Sequence, residues 1–115
     1  MKNNQYTELD FHLSELSREK AIELLEWKIN EWKGDNFHCV TLIHGYGSHG
    51  QGGVIRESVR RYLMRNREKL KIKTLIQGED FGMFDEASRS LNCRYEEELK
   101  AYYGKGNNGV TIIEI

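Results

Sequence analysis

The sequence has no proline, only two cysteines and almost no net charge, and each shortage narrows what the chain can be. Without proline there is no proline-rich linker, and no repeat or low-complexity tract divides the 115 residues. One domain with its own core is expected at this length. Cys39 and Cys93 make neither a disulfide framework nor a Cys-x-x-Cys pair, so they read as buried, reduced thiols of a cytoplasmic protein. No apolar run approaches the ~20 residues of a membrane span. The opening Met-Lys-Asn-Asn-Gln-Tyr has no apolar signal segment, so neither membrane insertion nor secretion is expected.

The net charge of -1 hides an uneven distribution. From Arg56 to Lys73 there are eight basic residues against Glu57 and Glu68; from Glu79 to Leu99 there are seven acids against Arg89 and Arg94. A near-neutral total therefore leaves an anionic partner open. Two solvated helix faces that attract each other would give the same pattern.

Residues 1–6 read as a flexible polar tail, and Thr7 to Leu13 alternates loosely as a first strand. Ser17 is a good N-cap, with Ala21, Ile22, Leu25, Ile29 and Trp32 following at helical spacing and Gly34 as the stop. His38 to Ile43 is a short, nearly continuous apolar run, as a central buried strand requires. Ile55, Val59, Tyr62 and Leu63 mark one face of a second helix. Leu70 to Ile76 alternates as a strand with one wet face. Residues 84–103 read as one or two helices interrupted near Asn92, and Val110 to Ile115 as a last strand. The order β-α-β-α-β-(α)-β predicts a two-layer α/β sandwich on a mixed four-stranded sheet. Helical crossovers join the first three strands, and the fourth makes a hairpin-like return.

Between the second strand and the second helix runs His44-Gly-Tyr-Gly-Ser-His-Gly-Gln-Gly-Gly53. A glycine-rich turn before a helix offers backbone N–H groups where the helix dipole is positive, which suits phosphate. The glycines fit neither a Walker loop nor a dinucleotide fingerprint, because the run follows the second strand and not the first. His44 sits at a strand's C-terminal edge, where open α/β sheets place ligands; alternatively it caps the strand. Tyr46, an aromatic among glycines, either fills the turn or stacks on a base or sugar. The other aromatics, Trp27, Trp32, Tyr62, Tyr95, Tyr102 and Tyr103, read as core.

Asp10 and His12 share a face by period-two spacing, and an aspartate beside a histidine can orient the ring and raise its basicity. If the first two strands are parallel neighbours, His12 and His44 emerge at one edge, where two histidines and Asp10 could hold a divalent metal of undetermined identity. His38, at the other end of its strand, is excluded.

Three ordered motifs resemble the small MutS-related (Smr) domain family: Leu9-Asp10-Phe11-His12 with Ala21; Leu42-Ile43-His44-Gly45-Tyr46-Gly47 with Ile55-Arg56; and Gly109-Val110-Thr111-Ile112-Ile113-Glu114-Ile115. The resemblance implies a single domain over 7–115, similar in fold to the C-terminal domain of the third bacterial translation initiation factor. It also implies binding of DNA or RNA, with endonuclease (nicking) activity in many members and a role in DNA repair or RNA processing. Carried over, the cleavage residues are Asp10, His12 and His44. The phosphate or nucleic-acid contacts are Gly45, Tyr46 and Gly47, with Arg56 and Arg60 from the helix that follows. The sequence departs from the family at Leu13, where glycine is expected, in its longer glycine turn, and in an acidic helical insert at about 78–108. A non-catalytic nucleic-acid-binding module, or a protein-interaction domain using residues 79–98, are the rival readings.

Overall fold

A computed structural model describes residues 5–11, 16–45 and 51–115, with residues 51–53 described as backbone only. Strands β1 (Tyr6–Asp10), β2 (Cys39–Ile43), β3 (Thr74–Gln77) and β4 (Val110–Glu114) form one sheet in the order β1-β2-β4-β3. Helix α1 (Arg18–Gly34) links β1 to β2, and α2 (Gln51–Arg65) links β2 to β3. β1 and β2 are parallel neighbours, with Asp10 opposite Ile43. β4 runs antiparallel to both β2 and β3 and lies between them. The mixed four-stranded sheet is the one read from the sequence, with the last strand returning antiparallel beside β3 after the expected helical insert. Residues 78–109 separate β3 from β4, carrying a 3-10 turn (Gly78–Asp80), α3 (Glu86–Arg94) and the single-turn α4 (Glu96–Leu99).

Side-chain alternation assigns the two faces of the sheet. Val40, Leu42 and Ile113 pack beneath α1 and α2 with Ala21, Leu25, Ile29, Trp32, Ile55, Val59 and Leu63. Cys39, Ile76 and Ile112 point the other way and pack with Phe81, Leu91, Tyr95 and Leu99 from the 78–109 segment. The α1/α2 sandwich thus acquires a cover over its second face. This explains why β2 and β4 are apolar at successive positions instead of alternating.

Several boundaries differ from the sequence reading. β1 starts at Tyr6, inside the expected tail, and the Gln5 carbonyl accepts from the His38 and Cys39 N–H groups. Gly34 is the last helical residue, and Asn36 takes the left-handed conformation with φ 63°. Leu70 to Lys73 forms a turn with Lys71 at φ 57°, so β3 begins only at Thr74. The helical break falls at Tyr95, not Asn92. Cys39 is buried as expected, whereas Cys93 is exposed on α3. Trp27 also lies at the surface, with the Lys28 ammonium 5.2 Å from its ring centre.

Gly78 marks where the chain turns from β3 into the covering segment. A Cβ there would meet the Asn107 carbonyl oxygen at 2.0 Å and a Val110 methyl at 2.5 Å. Gly78→Ala is expected to cost about 2 kcal/mol or more, because backbone on one side and a β-branched side chain on the other leave no room to relax. Urea denaturation of the variant checks this, and an unchanged midpoint would refute the packing argument.

Candidate nucleic-acid interface

The C-terminal ends of β1 and β2, the start of β4 and the N-terminal half of α2 converge at one end of the sheet. His44 follows β2 directly and is 1% exposed. Its backbone N–H and that of Gly45 both donate to the Gly109 carbonyl at 3.0 Å, tying the start of the glycine turn to the start of β4. Gly45 has φ 74°, a left-handed conformation suited to glycine.

The ring of His44 is bonded at both nitrogens. Nδ1 lies 2.9 Å from the Gly45 carbonyl, which can only accept, so Nδ1 carries the proton. Nε2 must then accept, and it does so from the Thr111 hydroxyl at 2.8 Å. Thr111 Oγ1 in turn accepts from Arg60 Nε at 2.9 Å. The polar chain therefore runs from Arg60 through Thr111 to His44 and on to Gly45. Burial, reinforced by the charges of Arg60 and Arg56 against a weaker opposing bond to Gly45, lowers the His44 pKa to about 4. The ring is neutral at physiological pH.

Arg60 is committed on every side. Its guanidinium makes a two-pronged contact with Glu79 at 2.9 and 2.8 Å and donates to the Val110 carbonyl at 2.9 Å. Burial pushes the Glu79 carboxyl upward, but the bonds and charge of Arg60 outweigh this and hold it below the usual range. Arg60, anticipated as a phosphate contact, thus joins α2 to the ends of β3 and β4 instead of extending into solvent.

Around that anchor lies a groove of about 550 Å³ lined by Arg56, Arg61 and Arg65 along α2, with Gln77 and Asn108 across from them. Arg56 is half-buried, while Arg61 and Arg65 are exposed and one helical turn apart. Arg65 was visible in the sequence only as part of the basic run. Thr111 carried no signal beyond its place in the closing strand.

Asp10 ends β1 at the same edge of the sheet but on the other face. Leu9 packs with the α1-side core, and Glu8 and Asp10 alternate away from it toward Tyr102, whose phenol donates to Glu8 at 2.8 Å. The sheet therefore separates Asp10 from His44. His12, Tyr46 and Gly47 lie outside the described residues. His38 bonds the Ile115 carbonyl at the opposite end of β2, as its exclusion required. Among the described residues no three His, Cys, Asp or Glu side chains converge as metal ligands, and no helix is long and apolar enough to cross a membrane.

The buried neutral histidine has a consequence for stability. A folded-state pKa of about 4, below the ~6.5 of an exposed histidine, means its contribution is fully present above about pH 6.5 and is lost as pH falls toward 4. Denaturation between pH 7 and 4 should show stability declining through this window, above the range where Glu79 and Glu114 begin to protonate. In His44→Gln that segment of the pH profile should flatten.

Comparison with known proteins accords with this architecture. No curated protein matches the chain. Among solved structures, it is similar to the crystal structure of the Smr domain of Thermus thermophilus MutS2. That likeness has 16% identity and a TM-score of 0.53, and it covers 95% of this chain and 94% of that one. At that identity the likeness concerns the fold. The family model described as Smr domain matches residues 9–80, well over half of the sequence, and the chain belongs to the Smr domain family.

Proposed function

We propose that this Smr domain binds nucleic acid through the outer face of α2 and the glycine turn before it, with His44 as a positioning residue. The supporting observation is the row Arg56, Arg61 and Arg65 beside a turn whose first residues are pinned to β4. Phosphates are contacted by these arginines and by the backbone of 45–47, with Tyr46 available to stack on a base. Arg60 acts at one remove, by holding α2 against the sheet. Residues 7–115 act as one domain, and the acidic segment at 78–108 serves as a cover that leaves the basic face open. The setting is cytoplasmic, in DNA repair or RNA processing.

A cleavage activity would rest on Asp10 and His12 at the end of β1, with any divalent metal held there. His44 is poorly suited to proton transfer, because both ring nitrogens are occupied and the ring is out of contact with solvent. Binding without cleavage is therefore the reading that the geometry favours.

Two measurements separate these roles. Arg61→Ala/Arg65→Ala should weaken oligonucleotide binding and reduce the slope of log affinity against log salt by roughly 1 to 2, since each lost phosphate contact removes close to one released counterion. Its thermal stability should be unchanged. Arg60→Ala should instead lower stability, by leaving the Glu79 carboxylate and the Thr111–His44 pair without their donor. In a nicking assay, activity that survives Asp10→Asn/His12→Ala would sink the cleavage assignment; unaltered binding by the arginine variant would sink the interface.

A further inference from the structure

β3 is one of the two edge strands of the sheet, paired among the described residues only with β4. The parity of the ladder identifies which of its backbone groups face outward. His44 N–H donates to Gly109 and Ile115 N–H to His38, so residues 109, 111, 113 and 115 turn their backbone toward β2. Residues 110, 112 and 114 then face β3. With Thr74 opposite Glu114 and Ile76 opposite Ile112, Thr74 and Ile76 complete that ladder. Leu75 and Gln77 direct their N–H and C=O groups to the open edge. Among the described residues these groups have no backbone partner outside the sheet.

This edge lines a cleft of about 1230 Å³. Met64 of α2 forms one wall and Met83 with Phe84 the other. Met64 and Met83 are each 63% exposed and Phe84 is 97% exposed. An open strand edge between exposed apolar side chains is a template for further strand pairing. The charges along it are ordered: Arg67 and Lys73 lie at the start of β3, Asp80 and Asp85 beyond its end. Such a cleft offers no net attraction to a polyanion. It is complementary to itself when turned end for end.

We propose that this cleft is where two copies of the chain associate, β3 pairing antiparallel with β3 of a second copy about a two-fold axis. Outward-facing residues must meet, which sets Leu75 opposite Gln77 of the other copy and Ile76 at the axis. That register carries Lys73 toward the 78–80 turn of the second copy and its Asp80. Glu79 remains with Arg60. The product is a continuous eight-stranded sheet with both α2 helices on one side. A four-residue strand and three apolar side chains make an interface well below the ~1,600 Å² of a standard complex, so association depends on concentration.

Analytical ultracentrifugation of the full chain from micromolar to millimolar concentration tests this. A shift from monomer to dimer is expected. Lys73→Glu and Asp80→Lys each place like charges at both ends of the pairing and should each weaken the dimer roughly tenfold. An equimolar mixture of the two variants should associate more tightly than either alone, because opposite charges then face each other at both ends. Leu75→Pro removes an outward N–H together with a side chain packed at the margin of the α1/α2 core, and should abolish association; the charge reversals are at exposed positions and do not depend on that variant folding. A monomer throughout, or a dimer indifferent to both reversals, overturns the proposal. So do NMR shifts at 74–77 on adding a single-stranded oligonucleotide or an extended peptide to a chain that does not self-associate.

Discussion

A neutral histidine buried at the end of β2 is the constraint on which this end of the domain depends. His44, Thr111 and Arg60 come from β2, β4 and α2, and each carries polar groups that would cost about 1–3 kcal/mol if buried without a partner. Only the chain Arg60 to Thr111 to His44 to Gly45 satisfies them together. Three elements distant in sequence are thereby held in one arrangement, and Glu79 adds the end of β3 through the same guanidinium. Gly45 leaves the sheet in a direction set by this chain, and the exposed arginines of α2 project from the helix that Arg60 anchors.

The fold was legible wherever one element's own periodicity decides its structure. Ser17 caps α1 by accepting from the Lys20 N–H, and the apolar spacing that follows is the helix's buried stripe. The Val110–Glu114 strand was evident from its β-branched run. The third strand was displaced because Lys71-Ile72-Lys73 mimics alternation while sitting in a turn, with Ile72 drawn into the core and Lys71 left-handed. Insertion of β4 between β2 and β3 has no local signature, since a strand's neighbours are chosen by the whole sheet. The burial of β2 on both faces comes from the 78–109 segment, which covers the second face of the sheet.

The site was legible by residue type and place, and less so by role. His44 was identified at the right edge of the sheet, but a sequence cannot distinguish a histidine aimed at a ligand from one bonded inward. That difference is set by Thr111, 67 residues further on. Arg60 was singled out for its charge, and the same charge is what Glu79 and the Val110 carbonyl require. Its neighbours Arg61 and Arg65, turned outward by the helical period, are left for an anion. Asp10 and His44 were expected at one edge, and both end neighbouring parallel strands there. The pleat separates Asp10 from His44, because residues one register step apart point to opposite faces.

That separation divides the domain electrostatically. On the α3/α4 face, Glu8 accepts from both Tyr6 and Tyr102, whose phenols are held protonated by burial and by this shared carboxylate. Glu114 there is paired with Arg94 and accepts from Thr74. Glu8 and Glu114 are thus fixed within a polar network, and Asp10 adds its charge to the same side. The α2 face carries the opposite sign, and the pairing of Arg60 with Glu79 leaves Arg61 and Arg65 exposed. A phosphate backbone approaching the domain meets repulsion from the first face and attraction from the second before any specific contact forms. The cover that completes the core therefore also divides the charge of the domain, because α3 and α4 bring their acidic residues to the face of the sheet opposite α2.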